Sequence, residues 1–287
     1  MHALTSSNHL VFEDAKLDEH ICTITQDKPI AHFLLTPLDS LLGGIYPGQM
    51  IGIGATPGCG KTSLMIQAAD ELAQQGQVII FVSAELPQHK LVTKSLVRFS
   101  SGSICLTDVP HASDDAIVAE RLNRAICAYR ETVAPNLCIT GSCTVADLGR
   151  LVAECISQRD LAPIIFIDYL QLLATSGPDP FIDERLAIAA YVKQLRDLAN
   201  TYMTPIFLIS TINRGSYSKK KPDLSAFGGS AVIEYSLDAA LFLSADEEHA
   251  SARGVPVTLT ALKNRYGTQG HASLLFDAAH ATFLAGE

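Results

Sequence analysis

The 287-residue chain has no tryptophan, only four methionines, and charged side chains at just 18% of its positions. Apolar residues, by contrast, make up 48%. Charge this sparse excludes a disordered chain or a coiled coil and leaves a globular protein with one large core or two modest ones. Basic residues are the minority sign, 21 Lys and Arg against 30 Asp and Glu, for a formal charge of -9. Bulk attraction to nucleic acid is therefore excluded, and any such contact must come from a local basic patch.

Paired cysteine motifs are also missing. Cys22, Cys59, Cys105, Cys127, Cys138, Cys143 and Cys155 form no C-x-x-C pair, and none has a His at zinc-ligand spacing. That excludes a zinc module and predicts reduced, mostly buried thiols. No apolar run approaches the roughly eighteen residues of a membrane span, and the first twenty residues lack the basic start and apolar centre of a signal peptide. A cytoplasmic protein with no membrane partner is the expectation. Repeats and low-complexity tracts are absent.

What the chain does have is alternation. MIGIGA (Met50 to Ala55), VIIFVSAE (Val78 to Glu85), IIFIDYLQLL (Ile164 to Leu173) and PIFLISTI (Pro205 to Ile212) are apolar on both faces, as central strands between two helical layers must be. Between them, Lys61 to Gln75, Ser113 to Val133, Thr144 to Gln158 and Asp183 to Tyr202 carry apolar residues at steps of three and four, the helical period. In the third of these, Thr144 and Asp147 form a candidate capping box. DAALFLSAD, VPVTLTALKNR and HASLLF read as further strands. The expected fold is α/β, with a mainly parallel central sheet flanked by helices and antiparallel strands at the C-terminal end. Residues 1–33 carry no strong period and are expected to be an arm or linker, with one domain over 34–287.

Strand MIGIGA runs into Thr56-Pro57-Gly58-Cys59-Gly60-Lys61-Thr62-Ser63 and then a helix, the strand, loop and helix order of a phosphate-binding P-loop. Gly58 and Gly60 let backbone N–H groups point at phosphate oxygens, and the helix start adds its unpaired donors. Lys61 supplies charge for the β- and γ-phosphates, and Thr62 a hydroxyl for Mg²⁺. Ala55 stands where the motif's first Gly is usual. The glycines do not make a dinucleotide fingerprint, because Pro57 occupies a required Gly position. Phosphoryl transfer also needs carboxylates. Asp168, closing IIFID, is the candidate Mg²⁺ ligand, and Glu85, closing VIIFVSAE, the candidate general base.

Taken in order, LLTPLDSLLGGIYPGQMIGIGATPGCGKT, FVSAEL, IDYLQLL, STINR, PDLSAFGGSAVIEYSLD and ALKNRYGTQG resemble the ATPase domain of DnaB-type replicative helicases, within the RecA-like P-loop class. The likeness runs from about Leu34 to the end. It implies a ring, usually a hexamer, holding ATP and Mg²⁺ between subunits and single-stranded DNA in a central channel, with replication or loader proteins as further partners. By the same resemblance Lys263 and Arg265 reach into the neighbouring subunit's site. Two positions depart from the family. Thr211 replaces a usual Gln in the Ser210 to Arg214 segment, and Gly228 and Gly229 replace an Arg-Glu pair near the DNA loop. Arg214, Lys219, Lys220 and Lys221 form a basic cluster that either faces DNA or is a solvated loop. An ATPase switch of the RadA or KaiC kind, without unwinding, is the alternative function.

Overall fold

The computed structural model describes residues 17–18, 21, 28–56, 58–170, 184–210 and 231–286. In chain order the elements are α1 (Thr36–Leu42), β1 (Met50–Ala55), α2 (Lys61–Gln74), β2 (Ile79–Ser83), α3 (Gln88–Phe99), α4 (Ala116–Thr132), β3 (Leu137–Thr140) and α5 (Val145–Arg159). They continue with β4 (Ile164–Asp168), α6 (Glu184–Tyr202), β5 (Ile206–Ser210), α7 (Ala231–Ser236), β6 (Ala239–Ala245), β7 (Val255–Asn264), β8 (Gly270–Asp277) and β9 (Thr282–Ala285).

The nine strands among the described residues form one sheet in the order β3-β2-β4-β5-β1-β6-β7-β8-β9. The pairs from β3 to β6 are parallel, and those from β6 to β9 antiparallel. The double apolar face of the central strands is explained by a core on each side. Ile79, Phe81, Ile164 and Phe166 face the helices α1 to α3, while Ile80, Val82, Ile165 and Ile167 face α5, α6 and α7. Successive side chains of a strand point to opposite faces, so two packed layers demand an unbroken apolar run. Phe81, Phe166 and Phe207 stack across β2, β4 and β5 with centroids 5.9 and 4.9 Å apart, and Phe33 closes the row edge-on at 5.7 Å. Each such buried ring contributes about 2–3 kcal/mol, which fixes β2, β4 and β5 side by side and so sets the relative height of their carboxyl ends.

Several expected boundaries shift. β4 ends at Asp168 and not at Leu173; Leu170 is already in a helical turn, because the chain leaves the sheet at its carboxyl edge. β2 and β5 likewise stop at Ser83 and Ser210. α5 starts where its capping box predicts: Thr144 Oγ1 accepts from the Asp147 N–H at 3.1 Å, and the Asp147 carboxylate accepts from the Thr144 N–H at 3.2 Å. Cys22 lies outside the described residues, and the other six thiols are less buried than expected. Cys59 is buried, Cys105, Cys143 and Cys155 are half-buried, and Cys127 and Cys138 are exposed, all unpaired. Cys138 is exposed because β3 is an edge strand, a position its local sequence does not reveal. At the start of the domain, Ala31 bridges to Ile45 and Phe33 joins the core. Among the described residues no helix is long and apolar enough to cross a membrane.

Candidate nucleotide site

β1 lies between β5 and β6, and its carboxyl end delivers the glycine loop to the start of α2. Gly58 and Gly60 both adopt positive φ, +85° and +80°. Gly60 has a second reason to be glycine. A Cβ there would lie 2.8 Å from Phe276 Cζ and 2.9 Å from Phe283 Cζ, two rings stacked 4.5 Å apart. The loop is therefore pressed against the β8–β9 hairpin. Cys59 is buried and its Sγ lies 2.6 Å from Thr56 Oγ1, pinning the loop from beneath. Pro57 lies outside the described residues.

Lys61, Thr62 and Ser63 open α2, where first-turn N–H groups have no intrahelical acceptor and suit an anion. Lys61 Nζ donates to the carbonyls of Ala55 and Thr56, each at 3.2 Å. Burial lowers its pKa, while Cys59, Glu85 and Asp168 act to raise it. Thr62 Oγ1 donates to Asp168 Oδ2 at 2.7 Å, joining the loop to the end of β4 across the intervening β5. Asp168 is 1% exposed, and its Oδ1 is a buried oxygen with no hydrogen-bond partner. A threonine hydroxyl beside an unpartnered carboxylate oxygen is the donor set of a hard cation such as Mg²⁺. Among the described residues no group of three or more His, Cys, Asp or Glu could hold a metal unaided, so an ion here depends on ligand oxygens to fill its shell.

Glu85 lies two residues past β2, exposed, in the same cleft of about 480 Å³ as Gly60, Lys61 and Thr62. One further cation shares that cleft. Lys94 on α3 donates to Ser63 Oγ at 3.0 Å, and burial followed by Arg98 lowers its pKa. The sequence reading missed Lys94 because it missed α3. The available signal was slight: Lys94 stands one turn from Leu91 and next to Ser95, two of the three residues that the helix buries.

Burial, with Glu85 adding to it, pushes the Asp168 pKa from 3.8 up to about 6, against the pull of Thr62, Lys61 and Lys94. In the ligand-free chain the folded state thus keeps a proton through a window in which the unfolded chain has released it. Ionising Asp168 costs stability progressively as pH rises through that window, and the cost is complete above it. Asp168→Asn is expected to stabilise the ligand-free chain by up to about 3 kcal/mol at pH 8 and by almost nothing at pH 4. Denaturant unfolding at the two pH values checks this, and an equal difference at both contradicts it.

Lys263 and Arg265 lie at the other edge of the sheet. Lys263 pairs with Ala240 at the start of β6, and Ala239 in turn pairs with Ile51 near the start of β1. The glycine loop leaves the far end of β1 at Thr56, roughly 13 Å along the strand from Gly52, which is in line with Lys263, and roughly 17 Å from Ile51, at about 3.3 Å per residue. Neither cation therefore serves the cleft of its own chain. Arg265 Nη1 donates to Asp238 Oδ1 at 2.9 Å, and Lys263 Nζ donates to the Glu234 carbonyl at 2.8 Å. Thr211, Arg214, Lys219, Lys220, Lys221, Gly228 and Gly229 lie outside the described residues.

A glycine loop at the carboxyl edge of a parallel sheet, bonded to an acid that ends the next strand but one, defines a P-loop nucleotide-binding fold of the RecA-like class. The chain belongs to the DnaB-like helicase C terminal domain family, whose profile matches residues 33–285. It is 26% identical over 260 residues to the replicative DNA helicase DnaB of Mycoplasma genitalium, covering 86% of this chain and 54% of that protein. With the DnaB of Treponema pallidum it shares 29% over 256 residues, covering 87% and 55%. The chain thus spans about half the length of the curated relatives it matches. The fold is similar to that of a DnaB-like replicative helicase solved in a study of its interactions with primase, with a TM-score of 0.82 at 21% identity, covering 99% of this chain and 68% of that one. A KaiC-like protein from Pyrococcus horikoshii is more distant, at 0.61 and 14%, covering 91% of this chain and 100% of that one.

Proposed function

We propose that the chain is a Mg²⁺-dependent ATPase whose site is completed by a neighbouring copy in a ring, a hexamer by the family resemblance, and whose turnover is coupled to movement on single-stranded DNA. The observation that carries the ATPase half is the Thr62–Asp168 hydrogen bond, which sets a P-loop hydroxyl and a buried carboxylate at one point with Glu85 in the same cleft. Thr62 and Asp168 would hold Mg²⁺ there, and the ion would supply positive charge to the phosphates. Lys61 exchanges its two loop carbonyls for phosphate oxygens, a charge-assisted contact stronger than the neutral ones it replaces. Lys94 adds a second positive charge from α3. Glu85, solvent-facing, accepts a proton from or orients the attacking water.

The trans contribution rests on Lys263 and Arg265. They stand too far from their own cleft to serve it, yet Arg196, Lys263 and Arg265 cluster around the buried Asp238 carboxylate with Glu234 as the second acid, three cations against two carboxylates, and leave a net positive charge at that sheet edge. Phosphate from an adjoining copy meets that surplus. DNA coupling rests on the DnaB-type resemblance and on the basic Arg214 to Lys221 segment, whose six copies would concentrate charge despite the acidic chain. Replication or loader proteins are partners by the same reading, and the cytoplasm its compartment.

Single-stranded DNA tests the coupling. ATP turnover is expected to rise several-fold with DNA, and the rise to fade with added salt as counterion release weakens binding. Turnover indifferent to DNA at every salt concentration supports instead an assembly switch without unwinding, the reading that Thr211 and the Gly228–Gly229 pair favour.

A further inference from the structure

Asp238 is a carboxylate that the nucleotide cleft does not use, buried to 6% of its side-chain surface at the start of β6. Its two oxygens have separate duties. Oδ2 accepts from the Met50 N–H at 2.9 Å and from Arg196 Nη2 at 2.8 Å, both facing inward. Arg196 is itself fixed by the carbonyls of Gly48 and Ser236, so this half of Asp238 ties β1, α6 and β6 together. Oδ1 accepts from Arg265 Nη1 at 2.9 Å, and the Arg265 N–H also donates to the Asp238 carbonyl at 2.9 Å.

Arg265 is thereby held at its backbone and at one guanidinium nitrogen, while its side chain stays 55% exposed. With Arg265 this exposed, solvent screens the pair and its contribution to stability is modest, and the inward bonds already secure the fold. What the outward bond does achieve is orientation. A guanidinium offers five donors in a rigid planar fork, so fixing one nitrogen against an immobile carboxylate aims the rest. Lys263 is held similarly by the Glu234 carbonyl, between Arg265 and α7.

Resting on the reading that Arg265 acts in a neighbouring copy's site, we propose that Asp238 is the positioning residue for that arginine, pre-aiming its remaining donors at the neighbour's phosphates. Binding energy that would be spent ordering a flexible side chain is then available in the transition state.

Asp238→Asn isolates this role. The amide oxygen is expected to face inward, where two donors require an acceptor, which keeps the Met50 and Arg196 hydrogen bonds without the charge and turns the NH₂ toward Arg265, breaking that contact. Thermal stability should fall, because Arg196 loses its charged partner, while nucleotide Kd, measured on the full chain at a temperature where it stays folded, should change little and kcat should fall at least tenfold. Mixed assemblies supply the decisive readout. Asp238→Asn chains keep an intact cradle, and Lys61→Ala chains keep an intact outer edge, so mixing the two inactive proteins should restore turnover several-fold above either alone. Arg265→Ala mixed with Lys61→Ala serves as the reference and should recover equally.

If the reference pair recovers but Asp238→Asn either retains full turnover or fails to recover on mixing, the positioning role is overturned and the shared site stands. If the reference pair does not recover, the shared site falls and this proposal with it. Should Asp238→Asn not fold, Asp238→Glu, which keeps the charge and moves the carboxylate by one methylene, carries the same prediction of lowered kcat at unchanged Kd.

Discussion

Arg265→Ala is expected to lower ATP turnover by roughly 10³-fold while leaving nucleotide affinity almost untouched. The split follows from where the residue stands. In the proposed site, binding is set by the glycine loop, Lys61 and the Thr62–Asp168 pair at the carboxyl edge of the sheet, whereas Arg265 leaves the opposite edge beside Asp238. A cation brought to the γ-phosphate by a neighbour acts mainly on charge that develops during transfer, so kcat bears the loss. Equilibrium binding of a nonhydrolysable nucleotide alongside steady-state kinetics checks this. Parallel losses in affinity and turnover would place Arg265 in its own chain's cradle, contrary to the sheet geometry.

Glu85→Gln carries the second large effect. The change is nearly isosteric and removes, among the described residues of the cleft, the one carboxylate that faces solvent and is not bonded to Thr62. Loss of a general base or water-orienting group lowers kcat by roughly 10² to 10⁴. Nucleotide binding should hold or tighten slightly, since a negative charge leaves a site that receives a triphosphate. Glu85 also raises the Asp168 pKa, so the variant should make Asp168 easier to ionise. Single-turnover hydrolysis with a parallel binding titration separates the steps. Turnover within a few-fold of wild type would remove Glu85 from the chemistry.

The central half of the fold was legible because its physics is local. β1 and the P-loop helix are each specified by a short segment, the strand by apolar residues on both faces and the helix by the glycines that precede it. Thr144 and Asp147 announced α5 through a capping pair three residues apart. Elements whose partners are distant in sequence were harder. β3 and β9 are edge strands, exposed on one side, and so lack the unbroken apolar run of β2 or β4.

The site divides along the same line. Lys61, Thr62, Glu85 and Asp168 each close or follow a recognisable strand, and the structure sets the first three in one cleft with Asp168 buried behind Thr62. Lys94 escaped because its helix begins after Pro87 with polar residues and buries only Leu91, Ser95 and Val97. Gly60 was legible as a bend but not as a steric necessity, since Phe276 and Phe283 approach it from more than two hundred residues away. Asp238 gave no signal at all. Its partners Met50, Arg196 and Arg265 converge only when β1, α6 and β7 meet at the amino edge of the sheet.

The most direct test of the shared site is ATP turnover per chain measured against protein concentration, with particle mass followed by light scattering in the same samples. Turnover should rise steeply as single chains give way to assemblies, and should vanish on dilution to the single-chain mass. A single chain that hydrolyses ATP at the assembled rate would contradict the account.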